Sequence, residues 1–168
     1  MQCFTIGHSN HSFEKFKSLL AAHGVNYLLD VRSLPYSGYV RHFNREILTR
    51  LCAEAGIGYR WLGRELGAKV FQVDSDSNYK IKAQGLETIQ KTIAAGFRVS
   101  LLCTEQDPLR CHRFLAIPIE LSRLDISVKH IQADGMAVEQ AELEQGLLVQ
   151  TYGGYKQLNM FEASCSSG

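Results

Sequence analysis

The chain has little proline and lacks any long apolar run. Only three of its 168 residues are proline and one is tryptophan. No stretch approaches the ~20 consecutive apolar residues that a transmembrane helix needs, so no membrane-spanning segment is predicted. The first residues carry neither a basic cluster nor an extended apolar stretch, and no secretion signal is expected. We therefore predict a cytoplasmic protein.

Two signatures of phosphate binding are missing as well. The sequence contains neither G-x-x-x-x-G-K-[ST] nor G-x-G-x-x-G, the glycine patterns that cradle nucleotide phosphates. The formal net charge is +1, which neither favours nor excludes nucleic acid. The charge is unevenly distributed, because residues 32–64 contain six arginines and two glutamates. This segment fits either a phosphate-facing surface or solvated helix faces with local ion pairs.

The number of cysteines is five, which is odd. A domain of about 150 residues buries roughly two-thirds of its unfolded surface and folds without cross-links. The cysteines are therefore predicted to be reduced thiols, as is usual in cytosolic proteins.

Strand-like and helix-like segments alternate along the sequence. The predicted strands are Cys3–Gly7, Tyr27–Val31, Gly58–Leu62, Phe97–Leu102 and Ile126–Ile131. Alternating β and α units favour parallel strands covered by helices on both faces. We predict a single-domain, Rossmann-like α/β fold of three layers, with a mostly parallel sheet of about five strands. The domain is expected over residues 1–146, followed by a flexible tail over residues 147–168 that contains a candidate docking peptide.

Some segments between the strands carry expectations of their own. Gly63–Asn78 is rich in glycine and aspartate, which predicts irregular structure. Asn44 is predicted to cap the second helix. Pro108 suits the first turn of a helix that runs to about Leu124. A last short helix is predicted near Ala137–Glu144.

The segment Cys103–Arg113 has the densest set of reactive groups in the chain. Within 11 residues it contains two thiols, two carboxylates, one imidazole and two guanidinium groups. It follows a predicted strand, so we expect it at the carboxyl edge of the sheet, where open α/β sheets bind ligands. The polar ends of three other predicted strands, Gly7–Asn10, Asp30–Arg32 and Gly63–Glu65, should meet it there.

At this edge, His8, Asp30 and Arg32 each allow two interpretations. His8 is a candidate general acid or base, because imidazole titrates near neutral pH, or else a histidine bonded within a turn. Asp30 and Arg32 share one face of an extended chain. Arg32 can hold a substrate phosphate or carboxylate, with Asp30 as base or orienting group, or the two form a structural ion pair. Ser9 and Arg113 join Arg32 as anion-binding candidates.

Cys103 and Cys111 allow three interpretations. One of them is a nucleophile, since a helix N-terminus and nearby arginines stabilise a thiolate. With His112, and with His8 as a fourth ligand, they would instead bind zinc, although C-x7-C-H is not a usual zinc spacing. They also fit two buried cysteines with no chemistry. Glu105 is the best-placed acid for proton transfer, and His112 completes the catalytic candidates.

Several motifs resemble the family called domain of unknown function 488. They are Thr5-Ile-Gly-His-Ser-Asn10, Leu29-Asp-Val-Arg-Ser33 with Pro35-Tyr36, Phe43-Asn44, and Cys103-x-Glu-x-x-Pro-x-x-Cys-His-Arg113. The resemblance spans roughly residues 3–132 and implies a fold and a site more readily than an activity. The distinctive polar positions that it implies are His8, Asp30, Arg32, Cys103, Glu105, Cys111, His112 and Arg113. These residues lie at the strand ends already described.

The tail contains a short apolar cluster on a polar background. Gln157-Leu-Asn-Met-Phe161 resembles Q-L-x-[LM]-F, the peptide by which bacterial replication and repair proteins bind the sliding clamp. This predicts docking to a sliding clamp through Gln157, Leu158, Met160 and Phe161. The alternative is a tail that folds back and packs on its own domain.

Three functions fit these observations. The favoured hypothesis is an enzyme acting on nucleic acid or a nucleotide, associated with DNA repair through the tail peptide. The alternative is a cysteine-dependent enzyme on a small anionic substrate, by sulfur-transfer or phosphatase-like chemistry, because Asp30-Val-Arg32 is similar to the start of rhodanese-type domains. Against it, Cys103 and Arg110 have the spacing C-x6-R instead of the expected C-x5-R. A non-enzymatic adaptor is the third hypothesis.

Overall fold

A mixed sheet of six strands forms the centre of the fold. The structure, a computed structural model, describes residues 1–72 and 75–151. The strands are β1 (Gln2–Gly7), β2 (Tyr27–Asp30), β3 (Gly58–Trp61), β4 (Val99–Cys103), β5 (Ser127–Ile131) and β6 (Ala137–Glu139). They lie in the order β3-β2-β4-β1-β5-β6, and β1 to β5 are parallel. The predicted α/β class and mostly parallel sheet are confirmed.

The sixth strand corrects one prediction. β6 pairs antiparallel with β5, with Lys129 opposite Glu139, and the Lys129 Nζ lies 2.8 Å from Glu139 Oε1. The helix predicted over Ala137–Glu144 begins only at Gln140. Gly135 has a φ of 93°, which lets the chain reverse between the two strands. A strand of three residues is too short for its alternating pattern to stand out in the sequence.

Helices cover both faces of the sheet. They are α1 (Phe13–Ala22), α2 (Arg45–Glu54), α3 (Gly63–Leu66), α4 (Asp76–Ala94), α5 (His112–Leu115), α6 (Ile117–Ser122) and α7 (Gln140–Thr151), with 3-10 turns at Arg41–Phe43, Ala68–Phe71 and Pro108–Arg110. Leu28 packs with apolar residues of α1 and α2 on one face, and Leu29 packs with those of α3, α4 and α6 on the other. This is the three-layer arrangement that was predicted. None of these helices has the length and apolarity that crossing a membrane requires.

Two local predictions before β4 are corrected. Gly63–Asn78 is not irregular throughout, because it contains α3, a 3-10 turn and the start of α4. Ser75 Oγ accepts a hydrogen bond from the Asn78 N–H and so caps α4. Asn44 occupies the N-cap position of α2 without a side-chain cap, because its Oδ1 accepts from the Ser37 N–H. The Asn44 side chain therefore fixes the loop before α2 instead.

The helix predicted from Pro108 to about Leu124 is broken twice. Cys111 is extended, with a φ of −131° and a ψ of 145°, which ends the 3-10 turn before α5 begins. Pro118 lies in the first turn of α6 and has no N–H with which to extend α5. The first break brings the Cys111 sulfur to Cys103 at the end of β4.

The order of the strands brings three loops together at the carboxyl edge. β4 lies between β1 and β2, so the segments that follow Gly7, Asp30 and Cys103 are neighbours. Gly7 pairs with Cys103, and a Cβ added to Gly7 would collide with the Glu105 carbonyl. The loop after β4 therefore rests directly on the end of β1, where only glycine leaves room for it.

His130 is a buried titratable group inside β5. Its Nε2 lies 2.6 Å from Gln140 Oε1, and its Nδ1 lies 2.7 Å from Thr5 Oγ1. Since an amide oxygen only accepts, Nε2 carries the proton and Nδ1 accepts from the Thr5 hydroxyl. Burial lowers the pKa of His130 to about 4. The folded protein therefore holds this imidazole neutral at pH 7.

We expect acid to destabilise the fold through His130. Below about pH 6.5 the unfolded chain binds a proton that the folded chain does not, so the free energy of unfolding falls toward pH 4 and then levels. At pH 4.5 this contribution should reach roughly 2–3 kcal/mol. Urea unfolding at pH 7 and pH 4.5 measures it, with His130→Gln for comparison. An equal loss of stability in the variant and the parent protein between the two pH values would contradict this role of His130.

Candidate active site

Asp30 and Arg32 form a buried ion pair at the end of β2. Arg32 Nε and Nη2 donate to Asp30 Oδ1 and Oδ2 at 2.8 and 2.6 Å. Asp30 also accepts from the Arg32 N–H and, at 2.7 Å, from the Tyr59 hydroxyl. Burial and the neighbouring Asp30 raise the pKa of Tyr59, which keeps its proton in this bond. Because both carboxylate oxygens are engaged, the geometry favours the structural ion pair over a base that meets substrate.

His8 lies in the turn after β1 and is almost fully buried. Its ring stacks on Phe43 with the centroids 4.4 Å apart, and its Nδ1 donates to the Ser9 carbonyl at 2.7 Å. Burial, followed by the charge of Arg32, lowers the pKa of His8 to about 4. A histidine that resists protonation fits the turn interpretation better than proton transfer near neutral pH. Ser9 itself lines an open cavity of about 490 Å³ next to Glu105.

The two thiols meet where β4 ends. Cys103 Sγ lies 2.7 Å from Cys111 Sγ, and both residues are buried free cysteines. His112 Nδ1 is 3.6 Å from Cys111 Sγ and 4.0 Å from Cys103 Sγ. The other ring nitrogen, Nε2, lies 3.1 Å from the Leu66 carbonyl oxygen. Since a carbonyl only accepts, Nε2 carries a proton, and Nδ1 faces the sulfurs, where it accepts from a thiol or, when protonated, donates to a thiolate.

This arrangement shifts the pKa values of the two thiols in opposite directions. The hydrogen bond from Cys111 lowers the pKa of Cys103, against the effect of burial, and His112 and Arg113 lower it further. The same contact with Cys103, together with burial, raises the pKa of Cys111. The pair therefore shares one proton, which Cys111 holds and donates to a Cys103 thiolate. A stabilised thiolate is the reactive form of cysteine.

Arg113 is a fully buried guanidinium behind the thiols. Its Nη2 donates to the carbonyls of Glu105 and Gln106 at 2.8 and 2.7 Å. Its Nε and Nη1 have no hydrogen-bond partner among the residues that the structure describes. Burial lowers the pKa of Arg113, while the negative charge shared by the Cys111 and Cys103 pair raises it. Arg113 thus fixes the loop after β4 and places a positive charge near the thiolate, out of reach of solvent.

The thiols border a cavity of about 260 Å³. Its lining includes Glu105, Arg110, His112 and the buried, Asp30-bound Arg32. The Glu105 side chain is exposed, and no hydrogen bond or ion pair of this side chain is found within the described ranges. The cavity therefore offers a nucleophilic sulfur, an acid and the exposed Arg110 guanidinium to one small molecule.

Cys103, Cys111 and His112 could also hold a metal ion. Both Sγ atoms and a His112 ring nitrogen lie within 4.8 Å of one another. Thiolate and imidazole are preferred zinc ligands, and a ring N–H held by a carbonyl is the usual outer partner of a metal-bound histidine. His8, considered as a fourth ligand from the sequence, directs its Nδ1 to the Ser9 carbonyl instead. The donor set fits zinc with three protein ligands.

Residues 12–117 match the family described as domain of unknown function DUF488. The chain belongs to this family. No curated protein matches it, and no solved structure matches it. The matched part of this DUF488 chain includes Asp30, Arg32 and the whole Cys103–Arg113 segment, whereas His8 and Ser9 precede it. The family match thus covers both the ion pair and the thiol cluster.

Contacts between β3 and the end of β2 in this DUF488 domain were not predicted from the sequence. Tyr59 binds Asp30, and Trp61 Nε1 donates to the Arg32 carbonyl at 2.9 Å. The Leu66 carbonyl sets the His112 tautomer. Tyr59 and Trp61 are two residues apart on a predicted strand, and this spacing could have indicated that both side chains share one face of the sheet. The role of the Leu66 carbonyl could not be predicted from the sequence, because every residue has a main-chain carbonyl.

In this DUF488 chain, residues 147–151 of the predicted tail lie in α7, and residues 152–168 lie outside the described residues. The predicted docking residues are Gln157, Leu158, Met160 and Phe161, and their role stays a prediction.

Proposed function

We propose that this protein is a cysteine-dependent enzyme in which the Cys103 thiolate attacks a small anionic substrate. The observation that supports this most is the position of the Cys103 sulfur, 2.7 Å from the Cys111 sulfur and 4.0 Å from His112 Nδ1. A proton donor and an imidazole beside a thiol are what activate it as a nucleophile. Arg110, on the wall of the same cavity, suits an anionic group.

We favour sulfur transfer over phosphatase-like chemistry, because a second thiol can donate a hydrogen bond to the persulfide, whereas phosphoryl transfer does not require one. In the first step the Cys103 thiolate attacks the outer sulfur of a thiosulfate-like donor. The donor's S–S bond breaks, sulfite leaves with the electron pair, and Cys103 becomes a persulfide. A nucleophile such as cyanide then takes the outer sulfur and returns the Cys103 thiolate. Cys111 and His112 support the thiolate in both steps.

Mass spectrometry of the protein after incubation with thiosulfate tests this proposal. We expect the peptide that contains Cys103 to gain the mass of one sulfur atom, and to lose it again on addition of cyanide. Cys103→Ser should take up no sulfur, while Cys52→Ser, which replaces a buried cysteine of α2, should behave like the parent protein. A parent protein that takes up no sulfur, or takes it up equally in Cys103→Ser, would rule the proposal out.

Zinc is the second candidate for the thiol cluster, as a bound metal instead of a nucleophile. It is favoured by the fixed tautomer of His112, whose Nδ1 faces both sulfurs. If this is the function, the purified protein should contain about one zinc per chain, and Cys111→Ser should lose most of it. Elemental analysis of both proteins measures the content, with Cys52→Ser as the matched control. A parent protein without stoichiometric zinc after growth in zinc-supplemented medium would contradict this candidate.

We also propose that the protein acts on nucleic acid and binds a sliding clamp. Reduced thiols suit the cytoplasm, where it would meet both partners. Arg41, Arg60 and Arg64 are exposed and have no ion pair in the described part of the chain, which supports contact with phosphates. The clamp proposal rests on the tail peptide alone. Binding to a sliding clamp that survives replacement of Gln157 and Phe161 by alanine would refute it.

A further inference from the structure

A second cavity opens beside the thiol cavity. It has a volume of about 300 Å³, and its lining includes Leu34, Tyr36, Arg45 and Trp61. Ser33 and Leu34 line both cavities. The two openings therefore adjoin at the start of the loop after β2, and one molecule can occupy both.

The second cavity presents a fixed aromatic ring next to a positive charge. Trp61 Nε1 is anchored on the Arg32 carbonyl at 2.9 Å, and the Arg45 guanidinium lies 5.3 Å from the centre of the Trp61 ring. Tyr36 is 66% exposed on the same wall, and Glu46 lies 3.5 Å from Arg45. A planar base that stacks and a phosphate that binds guanidinium are the partners that such a wall recognises. The Glu46 carboxylate can accept a hydrogen bond from an amino group of the nucleobase.

The surface around this cavity carries unpaired positive charge. Arg41, Arg60 and Arg64 are exposed, and within residues 1–72 and 75–151 none of the three has an ion pair or side-chain hydrogen bond. Arg41 lies in the 3-10 turn before α2 and Arg64 lies on α3, whereas Arg60, one residue before Trp61 on β3, points to the opposite face of the sheet. None of the three lines the cavity itself. Unpaired cations near a cleft raise the local concentration of phosphate-bearing ligands.

We propose that the second cavity binds the base and phosphate of a nucleotide unit. The binding of this unit does not depend on the proposed function of Cys103. A free nucleotide and a single-stranded oligonucleotide share this chemistry. The unpaired arginines favour the oligonucleotide, because they extend beyond the space that one nucleotide fills.

The single tryptophan of the chain provides the experiment. The full-length protein is titrated with AMP and, separately, with a short single-stranded oligo(dA), and the fluorescence of Trp61 is recorded. We expect saturable quenching, with the oligonucleotide binding at least about tenfold more tightly at low salt and losing this advantage as salt rises. Equal affinity for both probes would support a free nucleotide as the source. Absence of saturable quenching by either probe would overturn the proposal.

Matched variants separate stacking from general charge. Arg45→Ala and Tyr36→Ala should each weaken binding about tenfold, whereas Arg50→Ala should not, because Arg50 lies on the same helix with Glu54 as its partner. If Arg45→Ala and Tyr36→Ala both bind like the parent protein, the proposal is wrong. Cys103→Ser should retain the quenching. In the parent protein, intact quenching without sulfur uptake would therefore refute the proposed function alone, and sulfur uptake without quenching would refute the nucleotide site alone.

Discussion

Replacing Cys103 by serine should lower the rate of sulfur transfer by at least about a thousandfold. A serine hydroxyl does not ionise near neutral pH and cannot carry the transferred sulfur as a persulfide. The loss should appear in kcat, because Arg110 still lines the cavity. Steady-state formation of thiocyanate from thiosulfate and cyanide measures it.

Two comparisons make this result specific. Cys111→Ser keeps a hydroxyl that can donate to the Cys103 thiolate, so we expect a loss of only about tenfold or less. Cys52→Ser removes a buried thiol of the α2 core and should leave the rate unchanged once folding is verified. If Cys103→Ser retains a tenth or more of the parent rate, Cys103 is not the nucleophile.

The largest effect on stability is expected at Asp30. Asp30→Ala leaves the buried Arg32 guanidinium without its carboxylate and the Tyr59 hydroxyl without its acceptor. Breaking a buried pair in this way costs about 3–5 kcal/mol of unfolding free energy. Equilibrium urea unfolding measures the loss. The matched variant Tyr59→Phe removes one hydrogen bond to the same carboxylate and should cost only about 1 kcal/mol.

A loss below about 1 kcal/mol in Asp30→Ala would contradict the role that the geometry gives to this pair. It would mean that Arg32 gains water or another partner when Asp30 is removed. Arg32 would then be free to bind substrate, as in the other interpretation drawn from the sequence. The measurement therefore decides between the two interpretations of Asp30 and Arg32.

The architecture could be predicted because its signals are local. The strand at Phe97–Leu102 is an apolar run flanked by turn residues, and the structure has β4 within two residues of it at Val99–Cys103. Alternation of such runs with amphipathic helices is enough to indicate a parallel sheet. β6 was missed because three residues carry no usable pattern. Parallel strands also explain why the polar strand ends were expected at one edge.

The internal order of the site could not be predicted, because it depends on contacts between distant elements. Spacing alone did not place the Cys111 sulfur on Cys103, since that contact needs the extended backbone at Cys111 that breaks the predicted helix. Arg113 was expected to face a substrate, yet its placement in the core follows from packing under the loop after β4. The state of His112 depends on a main-chain carbonyl in α3.

The pH dependence of Cys103 alkylation tests the central claim most directly. Protein freed of metal by a chelator is treated with iodoacetamide from pH 5 to pH 9, and the rate at each cysteine is followed by mass spectrometry. Because the pKa of Cys103 is lowered, its modification should still be fast at pH 6, where an ordinary thiol with a pKa of about 8.5 is almost unreactive. Cys52, whose pKa burial raises to about 12, serves as the internal comparison. A Cys103 rate that rises only above about pH 8 would contradict the existence of a stabilised thiolate, and with it the proposed nucleophile.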